Sequence, residues 1–216
     1  KLNPIPLKTL LTQHKVAILQ GMGLVSLPSA GFYLSFVYLS NHLQLFLNKA
    51  FSTTMLINTL TMSIIIVTAP LFGRLADKQG AKTLLLYGAV AFLLFSVPAY
   101  TLINLGNLNL IALMQLLFGL MVAASYAAIP LFLLNLFPAE IRVSGVSLPY
   151  NLANGFIGGT SPLVATSLIY FTGLKTMPGI YLSLIAAIAI LCLYSVVTGR
   201  LLHPFGVRND GKSGGG

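Results

Sequence analysis

Along most of this chain the apolar residues do not alternate with polar ones at the spacing of a half-buried helix or strand; they run on unbroken. Residues 83–139, 57 in all, contain no Asp, Glu, Lys or Arg, and the intervals 16–48, 50–73, 143–174 and 176–199 are equally free of them over 33, 24, 32 and 24 residues. A bilayer core about 30 Å thick takes roughly 20 apolar helical residues per crossing. The longest run therefore fits two crossings and each of the others fits one. The hairpin inside the longest run is predicted at Asn104-Leu105-Gly106-Asn107-Leu108-Asn109, where Gly and Asn supply turn conformations. The pattern predicts an all-α membrane protein of six transmembrane helices, near 16–40, 53–75, 83–104, 108–137, 147–171 and 179–200.

Composition agrees with that pattern. Soluble chains carry about a quarter charged residues, whereas this one has 7% and a mean hydropathy of +0.91. The solvent for most of it is lipid. Its net charge of +9 would fit a nucleic-acid surface if the cations clustered on one soluble face, but they sit singly at span ends. An even number of spans puts both termini on one side. Lys1, Lys8, Lys15, Arg74, Lys78, Lys82, Arg142, Arg200, Arg208 and Lys212 fall on that side, against Lys49 and Lys175 on the other. Basic loops stay in the cytoplasm, which predicts cytoplasmic termini and, for a bacterial protein, the inner membrane.

Cys192 is the one cysteine and lies inside a span, so it neither closes an internal disulfide nor reports a redox compartment. No signal-peptide pattern opens the chain and Lys1 is not an initiator Met, which predicts a start inside a longer product or a processed one. The bundle is expected over residues 1–205. Residues 206–216 are expected to be a cytoplasmic tail whose Lys212-Ser213-Gly214-Gly215-Gly216 end is a cloning remnant outside the fold. Six spans also count as three plus three, the arithmetic of an inverted repeat, although the two triplets share little sequence.

Two segments between spans carry a resemblance. Gly73-Arg74-Leu75-Ala76-Asp77-Lys78-Gln79-Gly80-Ala81-Lys82 resembles the G-x-x-x-D-[RK]-x-G-[RK]-[RK] signature of the major facilitator superfamily, with Ala81 in place of one basic residue. Read physically, Gly73 lets two helix ends approach, Asp77 can face the positive end of a helix, and Gly80 turns the chain. After the fourth span, Phe137-Pro138-Ala139-Glu140-Ile141-Arg142-Val143-Ser144-Gly145-Val146-Ser147-Leu148-Pro149-Tyr150-Asn151, and then Gly158-Gly159-Thr160-Ser161-Pro162, is similar to the F-P-x-x-x-R-x-x-G-x-S-x-x-Y-N and G-G-x-x-P pattern of its metabolite:proton symporter branch. That branch holds proline/betaine, α-ketoglutarate, citrate and shikimate carriers. The resemblance covers about residues 10–205 and departs at Glu140, where members often carry a basic residue.

The family pattern lies between the tenth and eleventh of twelve helices, so the resemblance implies the C-terminal half of a carrier, folded as two three-helix inverted repeats. It further implies that the first and fourth helices line a central cavity, the second and fifth flank it, and the third and sixth face lipid. The Asp matching Asp77 would brace the eleventh helix. Arg74, Asp77, Glu140 and Arg142 are then the expected cytoplasmic gate.

Polar residues on the cavity and flanking helices are the candidate solute contacts. Ser26, Ser29, Tyr33 and Phe36 form one helical stripe, Gln115, Gly119 and Tyr126 another, and Ser147, Asn151, Asn154 and Gly158 a third. Ser26, Ser29 and Ser147 read first as helix-packing residues. Tyr38, Tyr100 and Tyr170, near span ends, read as interfacial anchors. Tyr33 and Tyr126 lie deeper, where a cationic ammonium would gain about 0.5–2 kcal/mol per ring. Tyr33, Gln115, Tyr126, Asn151 and Asn154 are the expected solute site.

No Asp, Glu, Lys, Arg or His falls mid-span, and His14, His42 and His203 read as solvated groups at span ends or in the tail. Intramembrane ionisable groups mark proton relays, so proton coupling is expected to reside in an N-terminal half. Proline falls in or near five spans, at Pro28, Pro70, Pro98, Pro130, Pro149 and Pro162, where it kinks helices. No nucleophile–base pair, metal-ligand cluster or phosphate loop points to an enzyme, a metal or a cofactor. The expected function is half of a secondary transporter for a small zwitterionic or organic-acid metabolite, its neutral lining favouring the zwitterion. The expected partners are membrane lipid, the solute, and an N-terminal half or second copy. The competing reading is a membrane scaffold that associates but moves nothing.

Overall fold

The computed structural model describes residues 14–202, with side chains throughout except at 140 and 199–202. Six long apolar helices make up this region: α1 (Lys15–Leu47), α2 (Phe51–Gln79), α3 (Ala81–Ile103), α4 (Leu108–Leu136), α5 (Arg142–Thr172) and α6 (Met177–Leu202). In lipid an unpaired backbone amide has no water to turn to, so each crossing closes its hydrogen bonds within its own helix. A short 3-10 turn at Ala139–Ile141 leads into α5.

Two boundaries differ from the sequence reading. The segment 73–82, expected as a loop, is mostly helix: α2 continues through Arg74 and Asp77 to Gln79, Gly80 alone turns the chain, and α3 starts at Ala81. Gly80 can do so because its φ of 86° lies where side chains with a Cβ clash. At the other end, α1 continues past Ser40 to Leu47, with Ser40 and His42 buried against protein.

The neighbours obey an exchange symmetry. Each packed pair survives when α1 is swapped with α4, α2 with α5 and α3 with α6: α1 packs on α5 as α4 packs on α2, α1 on α6 as α4 on α3, while α1–α4 and α3–α6 map onto themselves. Successive helices reverse direction, so the second triplet enters from the side opposite to the first. The repeat is therefore inverted, the arrangement of half of a major facilitator fold.

Apolar burial drives little association when the solvent is itself apolar, so close contacts and hydrogen bonds between helices carry the packing. Gly179 of α6 meets the backbone of α3, where an added Cβ would stand 2.6 Å from the Ser96 carbonyl oxygen. Gln20 donates to Ser195 at 3.0 Å across α1 and α6, and Ser183 to the Leu93 carbonyl at 3.1 Å across α6 and α3. Phe92, Tyr100, Phe118 and Leu34 fill the centre, each fully buried. Tyr38 and Tyr100, expected at the interface, belong to this core, whereas Tyr170 is 87% exposed as an anchor should be.

Both α1 and α5 contain a stretch of π-helix, Tyr33–Tyr38 and Ala153–Gly158, each a few residues beyond a proline, Pro28 or Pro149. A π turn bonds i to i+5 and so takes more residues per revolution. Side chains beyond it leave the face that an unbroken 3.6-residue period would give them.

Candidate functional site

Where α1, α2, α4 and α5 meet, a cavity of about 730 Å³ is lined by Phe32 and Tyr33 from α1, Ile65, Ala69 and Gly73 from α2, Val122, Ala123, Tyr126 and Ala127 from α4, and Tyr150 and Asn154 from α5. The elements explain the lining. On α2, Ile65, Ala69 and Gly73 recur every four residues, one helical face that loses bulk toward Gly73 and leaves room for the cavity. The π segment of α5 packs on α1 and brings Asn154 toward it, and Gly158 seats Tyr33: a Cβ there would stand 2.9 Å from the ring.

One polar network anchors the site. Ser29, fully buried, donates to Asn154 Oδ1 at 2.7 Å, and the Tyr126 hydroxyl donates to the same oxygen at 3.0 Å. Asn154 Nδ2 donates to the Tyr150 carbonyl at 2.9 Å. The rings of Phe32 and Tyr33 meet edge to face at 5.8 Å, a favourable aromatic geometry. Among the described residues, no carboxylate, amine, guanidinium or imidazole lines the cavity.

Of the five expected solute contacts, the structure brings Tyr33, Tyr126 and Asn154 together. Gln115 lies elsewhere, 2% exposed, its Nε2 donating to Asn58 Oδ1 at 2.7 Å and to the Ser35 carbonyl at 3.1 Å, which ties α4 to α2 and to the π segment of α1. Asn151 is exposed and donates to the Ser147 carbonyl of its own helix at 2.8 Å. Asn154 and Gly158 lie in the π segment that begins two residues later, where both meet α1. Tyr150, Phe32 and the α2 face were missed. An i, i+4 relation to Asn154 would have pointed to Tyr150.

Of the expected gate, Arg74 and Asp77 are exposed on the last turns of α2, and Arg142 is exposed at the start of α5, its Nε 3.5 Å from the Phe137 carbonyl oxygen it donates to. The side chain of Glu140 lies outside the described residues. The end of α2 and the start of α5 stand on one side of the bundle, flanking α1 and α4.

At the opposite end, reasoning from sequence missed a buried cluster. His42, expected to be solvated, is 0% exposed: its Nε2 lies 2.9 Å from Asn104 Oδ1 and its Nδ1 3.3 Å from the Tyr38 hydroxyl. The imidazole also meets the rings of Phe46 at 5.1 Å and Tyr100 at 5.9 Å. Lys175, from the α5–α6 connection, donates to the Phe46 carbonyl at 2.9 Å. Two chain segments, the end of α3 and the α5–α6 connection, thus clasp the end of α1. A second cavity, about 460 Å³ between α3 and α4, is lined only by apolar side chains such as Phe95, Leu117 and Met121.

Known proteins are similar to this chain in sequence. The chain is 33% identical to a citrate-proton symporter of Klebsiella pneumoniae over 85% of its own length and 41% of the symporter's. It is 31% identical to an ectoine/proline transporter of Corynebacterium glutamicum over 82% of its length and 35% of the transporter's. It is 33% identical to a Staphylococcus aureus protein provisionally described as a proline/betaine transporter, over 74% of its length and 34% of that protein's. The chain therefore spans 34–41% of the length of these curated relatives. No family model matches it.

Proposed function

The chain belongs with those carriers to the metabolite:proton symporter branch of the major facilitator superfamily, and from that premise we propose that it forms the C-terminal half of a secondary active transporter for a small zwitterionic or organic-acid metabolite. The observation that carries this reading is the neutral cavity between α1, α2, α4 and α5, with Tyr33, Tyr126 and Asn154 on its wall. In the proposed cycle the cavity lies against an N-terminal half, the two halves rock about the solute, and access alternates between the two membrane faces.

The solutes named for the relatives, proline, betaine, ectoine and citrate, all carry a carboxylate, and the first three are ammonium or amidinium compounds as well. An ammonium group fits the faces of Tyr33 and Tyr126, at about 0.5–2 kcal/mol per ring. With no acid or base in the lining, proton coupling is assigned to the other half. Gln115 holds helices together, and Asn151 faces away from this cavity. The ten basic residues assigned above to one side support an orientation with both termini in the cytoplasm of a bacterial cell. Arg74, Asp77, Glu140 and Arg142 gate that face.

The test is uptake by the complete carrier. Tyr126→Phe removes one hydrogen bond from the Asn154 network and should raise the apparent KM a few-fold, as expected for a loss of about 0.5–1.5 kcal/mol. Tyr33→Leu should raise it further, with membrane insertion intact. An unchanged KM in both variants would show that the rings pack helices and touch no solute.

A further inference from the structure

We infer that Asn154 is the hydrogen-bond donor to the solute's carboxylate and that Ser29 is the residue that fixes it in that role. This rests on the transport reading above and assigns atoms within the same cavity. Both lone-pair sites of the Asn154 amide oxygen are taken, by Ser29 at 2.7 Å and by Tyr126 at 3.0 Å. One N–H of the amide goes to the Tyr150 carbonyl at 2.9 Å.

That set of partners admits one orientation. Turned over, the amide would set its oxygen against the Tyr150 carbonyl oxygen, which can only accept, and two acceptors repel. The hydroxyls of Ser29 and Tyr126 then find the oxygen in place and complete it. What remains is the second N–H, on a side chain that lines the cavity. An amide can in principle offer a ligand either a donor or an acceptor. This one offers only the donor, so the polar end of the solute that it meets must accept.

The surroundings sharpen the same conclusion. Ser29 is fully buried and out of the solute's reach, so it acts through Asn154. The Tyr126 hydroxyl spends its proton on Asn154, which leaves its ring for the cationic end. A zwitterion would lie with its carboxylate on the Asn154 N–H and its cation over the rings. A solute with the cation alone would use only half of the site.

Asn154→Asp tests this, because it keeps an oxygen for Ser29 and Tyr126 and removes both N–H groups, the free one and the one that the Tyr150 carbonyl accepts. In the complete carrier, uptake and competition are measured for glycine betaine against choline, proline against prolinamide, and citrate against trimethyl citrate; each second compound lacks free carboxylates. Asn154→Asp should weaken the carboxylate member of the transported pair about tenfold or more relative to its counterpart. Ser29→Ala should move the same ratio in the same direction by a few-fold. Equal losses for both members would mean that Asn154 is structural, and no loss in either would mean that it meets no carboxylate; either overturns the inference and leaves the transport reading standing. Uptake of none of the three acids by the unaltered carrier would overturn both.

Discussion

His42 shows how far a single residue can depart from what its position suggests. It lies near the end of an apolar run, where a histidine ordinarily meets water or headgroups. Because α1 continues to Leu47, the imidazole is enclosed by Tyr38, Phe46, Tyr100 and Asn104. Asn104 Nδ2 is already buried without a partner, so the cluster has little hydrogen bonding to spare. His42→Leu would remove the partner of Asn104 Oδ1, at about 1–3 kcal/mol for a buried group left unsatisfied, and one partner of the Tyr38 hydroxyl, which keeps Thr166. The expected result is a clearly lowered Tm in detergent, whereas Tyr170→Leu, at a side chain 87% exposed, should leave Tm nearly unchanged. Hydropathy could not separate the two tyrosines or see the histidine, since it records that a position avoids water and not whether lipid or protein surrounds it. Ser29 was hidden for a similar reason. A serine in a membrane helix reads as packing until the helix opposite places an amide beside it.

At the scale of the helix, the six crossings were legible because charge is so costly in lipid that its absence marks each span. The faces were less so. Stripes drawn at 3.6 residues per turn put Asn151 with Asn154, but the π segment Ala153–Gly158 breaks that period. Nothing local in the sequence announces a π turn. The same segment offers a paired experiment. A side chain at Gly158 would press on Tyr33 and Ser29, with a Cβ 2.9 Å from the Tyr33 ring, whereas a Cβ at Gly155 meets nothing within 4 Å. Gly158→Val should therefore displace Tyr33 and cut uptake severely while the protein still inserts, and Gly155→Ala should transport as before. Equal uptake by the two variants would detach the α1–α5 contact from the site. The signature around Asp77 was legible as a motif but misread as a loop, because its polar residues occupy the last turns of α2 as that helix leaves the apolar core.

For the whole molecule, the exchange of α1–α3 with α4–α6 is visible in the packing and nearly absent from the sequence. Inverted triplets face different surroundings, so their side chains diverge while their backbones keep the arrangement. The proposed cytoplasmic face and its proposed gate belong to this scale. Asp77→Asn should raise labelling of Ser144→Cys from the cytoplasmic side, in a Cys192→Ser background, if Asp77 helps close that face. Labelling that stays the same would remove Asp77 from the gate. The central claim, that this six-helix bundle is one wall of a transport cavity, is tested most directly by uptake into proteoliposomes under an imposed inward proton gradient. This bundle would be reconstituted alone and together with an N-terminal six-helix half. The account predicts accumulation of a carboxylate solute by the pair, lost in Tyr33→Leu, and none by the bundle alone. A well-inserted pair that accumulates nothing, or a pair indifferent to Tyr33→Leu, would contradict it.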